Sequence, residues 1–287
     1  MLEPSCFTNR VAVLATMHHK EKVIAPILEL ELGLKVIVPA NLNTDRFGTF
    51  TREQPRPDSQ LETARRKAKQ ALSLTGGTLA IASEGAFGPH PQIPWLPCDR
   101  EIILLLDQQQ QVEIVGQILT TETNFASQTI TNYSEAQTFA AKVGFPTHGL
   151  IVMSDREVQN ASAIFKGIRT EASLCAAVTQ ALTQSPSGHI HIETDMRAMY
   201  NPTRMQAIAA ATEDLVRNIR QVCPQCGCPG FAIVETKLGL PCALCHLPTS
   251  LTRSVRYECQ KCHFSQEALF PKGLTTADPG QCEYCNP

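Results

Sequence analysis

The sequence predicts an α/β fold, a mixed sheet flanked by helices, followed by a zinc-ribbon-like C-terminal module. Three observations carry this expectation. Short apolar runs alternate with amphipathic stretches through residue 222, the order that builds a sheet covered by helices. With 287 residues and 43% hydrophobic content, the chain can bury a substantial core, so one main domain is expected over 1–222. Over 223–287 the alternation gives way to four Cys-x-x-Cys pairs, Cys223/Cys226, Cys242/Cys245, Cys259/Cys262 and Cys282/Cys285.

Residues 10–16 read as a buried strand and 17–22 as a polar loop. A helix follows through about Leu32, with Gly33 near its end; Pro26 either kinks it or opens its regular part. Residues 35–38 form a second short strand. The polar stretch 41–57, with Gly48, Pro55 and Pro57, is expected to be a loop or an irregular hairpin. Ser59-x-x-Glu62 is a capping-box pattern, Leu61, Ala64, Ala68, Ala71 and Leu72 share one helical face, and Gly76 and Gly77 stop that helix. A strand over 78–83 then delivers Glu84-Gly85 to a turn at its end. Further strands are expected over 101–106, 112–119 and 148–153, with a hairpin turn at 108–111. Helices are expected over 134–143, 171–183 and 202–222. The last has Asn201 as N-cap, Pro202 at its first position and a core stripe of Met205, Ile208, Thr212, Leu215 and Ile219. Because it runs straight towards Cys223, the tail is expected to be docked on the main domain, not tethered by a linker.

The cysteines point to metal. A Cys-x-x-Cys turn sets two sulfurs on one side of a tight knuckle, within reach of one ion, and eight sulfurs supply two four-thiolate zinc sites. The residues after the pairs are Gly227, His246, His263 and Asn286, types that enter the left-handed backbone region; His246 and His263 are therefore read as turn residues, not ligands. Cys228 is a ninth tail thiol that could compete in the first knuckle. Sequential pairing of the knuckles gives loops of 15 and 19 residues and fits a ribbon slightly better than nested pairing around the 13-residue loop. Disulfides are disfavoured because the chain opens Met-Leu-Glu-Pro without a basic flank or apolar signal core, and a cytoplasmic setting is expected. No apolar run is long enough to cross a bilayer. From Gln221 onward five basic residues meet five acidic ones. Two four-thiolate zinc ions would make the tail net negative, so nucleic acid is not the expected partner.

Three polar clusters interrupt the scaffold: the loop Thr16 to Lys22, the group Glu62, Arg65, Arg66 and Lys67 with Glu84, and Thr194-Asp195-Met196-Arg197 with Asn201-Pro202-Thr203-Arg204. In the last, Arg197 and Arg204 flank a capped helix start, a plausible clamp for carboxylate or phosphate; a structural Asp–Arg network is the equal alternative.

The motif from Thr194 to Ala198, the Asn201 to Met205 stretch and the terminal cysteine pairs resemble an uncharacterised family of bacterial proteins with a domain of unknown function. Residues 10–155 more weakly resemble the pyrophosphatases that clear inosine and xanthosine triphosphates. The shared features are a Thr-x-His-x-Lys loop, the Ala64-Arg65-Arg66-Lys67-Ala68 helix, the Ser83-Glu84-Gly85 segment and Gly144-Phe145-Pro146. That resemblance implies Lys20 or Lys22 and Lys67 as phosphate ligands, Glu84 as a carboxylate for magnesium or proton transfer, and metal-dependent hydrolysis of a nucleotide. The chain departs from it in having His18 near the expected Asn, Thr63 for the helix Asn and a single Glu84 for an acidic pair. Two functions are therefore expected to compete. One is a zinc-binding protein whose pocket takes a nucleotide or other phosphorylated small molecule; the other is a non-enzymatic, zinc-stabilised interaction or regulatory protein.

Overall fold

The structure, a computed structural model, describes residues 6–40, 42, 59–157 and 163–287. It forms two compact units, Met1–Gln109 with Val115–Val216, and Gln110–Ile114 with Arg217–Pro287. Apart from Leu42, the segment expected to be a loop or irregular hairpin over 41–57 lies outside the described residues.

The first unit contains two sheets where one was expected. The larger has the order β2-β1-β3-β4-β5, built from β1 (Val11–Ala15), β2 (Lys35–Ile37), β3 (Leu79–His90), β4 (Ile93–Asp107) and β5 (Val112–Thr120). It is mixed: β1 runs parallel to β2 and β3, and β3 antiparallel to β4. Helix α1 (Glu21–Leu32) links β1 to β2, and α2 (Gln60–Thr75) precedes β3. The termini follow the residues that mark them. Gly33 and Gly76 close α1 and α2 in the left-handed conformation, and the Ser59 side chain accepts from the Glu62 amide to open α2. Pro26 stays inside α1. Helix α2 covers one face of this sheet, with Ala64, Ala68, Ala71 and Leu72 packed against Val13, Ala15, Ala80, Ala82 and Leu104. At the opposite end of the sheet the Arg10 guanidinium forks onto buried Asp107, with N···O distances of 2.5 and 2.9 Å, tying the start of β1 to the end of β4.

The strand expected over 78–83 does not end there. It continues to His90, and its partner begins at Ile93, so Glu84 and Gly85 sit inside a long hairpin instead of at a turn. Gly85, Gly88 and Pro89 look like punctuation along the sequence. Gly85 is instead a point of close approach, since a Cβ there would collide with Glu101 Oε1 and Arg204 Nη2. The register slips only between Pro89 and His90, where proline removes a ladder donor.

The second sheet of this unit has the order β6-β9-β7-β8, wholly antiparallel, from β6 (Ser127–Ile130), β7 (Leu150–Met153), β8 (Ile164–Ile168) and β9 (Ile190–Thr194). Three of these, β6, β8 and β9, have no counterpart among the strands expected from sequence. Helices α3 (Tyr133–Val143) and α4 (Glu171–Gln184) seal it, with Phe139, Val143, Leu174 and Val178 against Leu150, Val152 and Ile192. Helix α5 (Pro202–Arg220) starts as expected, with the Asn201 side chain accepting from the Arg204 amide at 3.0 Å. Ile208, Thr212, Leu215 and Ile219 of its stripe are buried, and Met205 is half-buried. It crosses β5 so closely at Gly116 that a Cβ would overlap the backbone of Ala211 and Leu215.

The second unit is a three-stranded antiparallel meander, β10 (Ala232–Leu238), β11 (Thr252–Glu258) and β12 (Ser265–Leu269). Its small core stacks Phe231 on Tyr257 and Phe264, with ring centroids 5.5 and 6.0 Å apart. Within the same unit the Gln260 amide pairs with the backbone of Glu113, accepting at 3.0 Å and donating at 2.7 Å.

Because Gly116 has helix backbone where a side chain would stand, Gly116→Ala is expected to destabilise the protein by roughly 1–3 kcal/mol. Chemical denaturation checks this, with Gly88→Ala, whose Cβ would meet nothing within 4 Å, as the control.

Candidate functional site

A buried polar cluster spans both faces of the larger sheet. At the end of β1 two successive non-glycine residues, His18 and His19, adopt left-handed backbone angles of φ 65° and 62°, a conformation that costs free energy and is uncommon outside special turns. The turn carries Lys20 inward, where its Nζ donates to Ser83 Oγ at 3.0 Å. Burial pushes the Lys20 ammonium down to about 7, and the nearby Arg204 guanidinium adds to the shift. Lys22, two residues on, is exposed.

Strand alternation distributes the rest. Glu84 shares the α2 face with Ala80 and Ala82, and Lys67 Nζ of α2 meets Glu84 Oε2 at 2.5 Å. Ser83, Gly85 and Phe87 point to the other face. Gly85 and Phe87 lie directly opposite Glu101 and Asp99 of β4, so these two carboxylates share the face of Ser83. Glu101, fully buried, accepts from Arg204 Nε at 2.6 Å through Oε1. Arg204 is 1% exposed, also donates to the Met196 carbonyl, and lies over the Phe87 ring at 5.1 Å. Asp99 is 1% exposed, and its carboxyl is pushed up to about 8, first by burial and then by the charge of Glu101.

Lys20, Lys67 and Glu84 thus fall on neighbouring elements of one cluster. Arg197 is engaged elsewhere: it chelates Asp195 through Nε and Nη2 at 3.0 and 2.6 Å and stacks over Tyr200 at 4.6 Å. Asp195 also receives the Gly167 amide at 3.0 Å. Of the two arginines of the motif, Arg197 thus holds Asp195 and Arg204 holds Glu101 of β4. Asp99 and Glu101 were not among the candidates from sequence. The available signal was two acids, two residues apart, heading the apolar run 102–106; alternation puts both on one side of a buried strand.

The cysteines of the second unit gather into two quartets, Cys223, Cys226, Cys259 and Cys262, and Cys242, Cys245, Cys282 and Cys285, with all sulfurs of a quartet within 4.8 Å of one another. The pairing is interleaved, first knuckle with third and second with fourth. This corrects the sequential expectation as well as the nested alternative. Loop length does not decide the matter, because the meander turns the chain over between knuckles and sets the first beside the third. Sulfur separations of 3.7 and 3.6 Å in one quartet and 3.8 and 3.6 Å in the other match the edge of about 3.8 Å in a tetrahedron whose centre lies ~2.3 Å from each sulfur. The knuckles repeat one backbone bond, from the amides of Gly227, His246, His263 and Asn286 to the carbonyls of Cys223, Cys242, Cys259 and Cys282, at 2.8 to 3.1 Å. Gly227, His246 and His263 are left-handed, at φ 69°, 61° and 58°. Asn286 is not, and the reason is Pro287, which presses the preceding residue towards extended conformations. The backbone amides of Cys245 and Leu244 hold the Cys242 thiol down to about 7, whereas the adjacent Cys245 thiol pushes Cys285 up to about 12. Four sulfurs this close cannot all ionise without a cation among them, so the arrangement is one that a metal ion completes. Cys228 stands outside both quartets, with its thiol pushed up to about 11 by burial. Among the described residues, the quartets are the groups of three or more Cys, His, Asp or Glu side chains that could share an ion.

Residues 67–287 match the family model described as domain of unknown function DUF6671. The chain belongs to this family. The matched range takes in both quartets together with Lys67, Glu84, Asp99, Glu101 and Arg204, and begins beyond Lys20. Comparison with curated proteins finds no match. No helix among the described residues is long and apolar enough to cross a membrane.

The Lys67–Glu84 pair is nearly inaccessible to water, so removing one partner leaves the other's charge buried without this counter-ion. Lys67→Met is expected to cost about 3–5 kcal/mol of stability, and Lys67→Met with Glu84→Leu to recover most of it. A double-mutant cycle measured by denaturant unfolding checks this.

Proposed function

We propose that both quartets bind zinc as structural ions and that the first unit binds a phosphorylated small molecule, a nucleotide being the leading class, at the Lys20, Lys67 and Glu84 cluster. The zinc reading is supported by the soft four-thiolate donor set and its tetrahedral spacing. Four thiolates fill the coordination shell and leave no position for substrate, which assigns these ions to folding and not to catalysis. The tail's charges support the same division of labour. Arg256 lies on Glu235 and Glu258, and Lys237 on Glu267, so these two cations answer carboxylates of the tail itself and offer phosphate little.

The nucleotide reading is carried by one observation: two lysines that the pyrophosphatase likeness implicates lie on α2 and at the start of α1, and reach Glu84 and Ser83 of the one strand β3. Ligands of open α/β sheets gather beyond strand ends beside helix N-termini, where Lys20 sits at the start of α1. Binding of a phosphate would restore full charge to Lys20, whose burial otherwise disfavours it. Hydrolysis is the reaction class that the pyrophosphatase likeness suggests: Glu84 would take a proton from the water as its oxygen bonds to phosphorus, the phosphoanhydride P–O bond would break, and the cleaved phosphate would leave as product; a magnesium ion would serve there to neutralise the phosphates. The close ion pairing of Lys67 with Glu84 favours a second reading, a cluster that only holds the fold of an interaction protein.

Two measurements separate these. Native mass spectrometry is expected to find two zinc ions per chain; Cys223→Ser and Cys259→Ser should each lose the same ion, and Cys242→Ser and Cys282→Ser the other. Losses that follow sequential knuckles would overturn the interleaved assignment. A screen of nucleoside mono-, di- and triphosphates with magnesium is expected to give a thermal upshift or turnover that Lys20→Met abolishes. If no nucleotide gives either, the nucleotide reading falls and the structural one stands.

A further inference from the structure

The face of the larger sheet opposite α2 holds an arrangement that neither the zinc nor the nucleotide reading uses. Asp99 and Glu101 point to the same side of β4, and each is at most 1% exposed. Asp99 Oδ1 and Glu101 Oε2 are buried acceptors without a hydrogen-bond donor among the described residues. Two buried carboxylates in this position repel each other, and their unanswered lone pairs cost free energy as well. Arg204 satisfies Glu101 through its other oxygen, Oε1, and so anchors the negative charge on Glu101.

We propose that Asp99 and Glu101 hold one proton between them at neutral pH, with Asp99 as the neutral acid that donates to Glu101 Oε2. One proton then supplies the donor that both orphaned oxygens lack. The surrounding groups agree with this placement. From β3 the face is met by Ser83 and by Gly85, which has no side chain; from the start of α1 by Lys20, turned to Ser83; and from α5 by Arg204. Lys67 and Glu84 lie across the sheet and pair with each other, and Arg100, next along β4, reaches Gln117 at 3.3 Å. Arg204 and Lys20 pull the Asp99 carboxyl down, and burial together with the charge of Glu101 outweighs them. Burial, then the charge of Glu101, pushes the Asp99 carboxyl up to about 8, the behaviour of a carboxyl pair that cannot ionise twice. With Asp99 neutral, the cluster sets Lys20, Lys67 and Arg204 against the carboxylates Glu84 and Glu101, a surplus of positive charge when Lys20 is protonated. Asp99 is thus a positioning residue: it keeps Glu101 turned to Arg204 and tilts the cluster towards anions.

The test is the pH dependence of stability in the full-length, zinc-loaded chain. A carboxyl whose folded-state pKa is raised binds more protons folded than unfolded between the ordinary value of 3.8 and about 8. Its contribution is therefore complete below the lower value and lost as pH rises to the upper one. Asp99→Asn cannot titrate, and its amide N–H replaces the shared proton as donor to Glu101. The folding equilibrium of the wild type is expected to fall relative to Asp99→Asn by up to roughly tenfold per pH unit across this window, then level off. An offset that does not change with pH overturns the proposal. Difference infrared spectroscopy on the wild type with isotope-labelled aspartate gives a second readout that does not depend on the variant folding. A protonated aspartic acid band at about pH 6 that is lost by about pH 9 is expected, and its absence at about pH 6 overturns the proposal.

Discussion

A guanidinium sealed from water must be answered by charge and by hydrogen bonds, and in the first unit the answer to Arg204 shapes its surroundings. Glu101 supplies the charge and the Met196 carbonyl a second acceptor, while the Arg204 amide belongs to the helix cap made by Asn201. One residue therefore joins the start of α5 to the middle of β4. The register of the β3–β4 hairpin follows, since the strand opposite must offer no side chain where the pair sits. Gly85 meets that requirement, and a slip of one residue would put Glu84 or Ala86 against the guanidinium. Desolvating such a pair costs several kcal/mol per ion, so its value is better placed in specificity of register than in net stability.

The second unit is held by a different constraint, two cysteine quartets that could each take a metal ion. Its apolar core is small, and most of β10 and β12 is exposed to solvent, so burial alone would leave a segment of this size marginal. Interleaving the knuckles makes each site long-range. Cys226 and Cys259 lie 33 residues apart and Cys245 and Cys282 lie 37 apart, so the first quartet closes around the β10–β11 hairpin and the second around β11 and β12. An ion bound at such a site would couple its binding to folding.

What was legible in the sequence follows the range of each interaction. Helix ends could be read because caps are local: Ser59, Gly33, Gly76 and the Asn201-Pro202 start mark termini that the structure keeps. The knuckles were legible for the same reason, down to the turn residues, save for Asn286, where the next residue overrules its own preference. Knuckle pairing was not legible, because it is decided by how β10, β11 and β12 fold over and not by spacing. Strands β6, β8 and β9 have four or five residues each and mix polar with apolar side chains. Their identity comes from the ladder they join, a long-range fact. Gly85 misled for a related reason: glycine beside glutamate reads as a turn until the arginine it makes room for, 119 positions later in the chain, is in view.

The polar cluster was half legible on the same grounds. Lys67 and Glu84 meet between a helix and the strand that follows it, 17 residues apart, whereas Glu101 finds Arg204 across 103. A functional cluster and a purely architectural one would both bury such pairs, and pairing alone does not separate them. Lys20 does. An architectural lysine is best left charged on a carboxylate, yet this one faces a hydroxyl, close to another cation, with its charged form disfavoured. Its backbone is held there by two left-handed histidines whose strain the fold must offset elsewhere. A lysine kept in this state gains most from an anion that arrives from outside, and that asymmetry is the physical reason to look for a ligand at this end of the sheet.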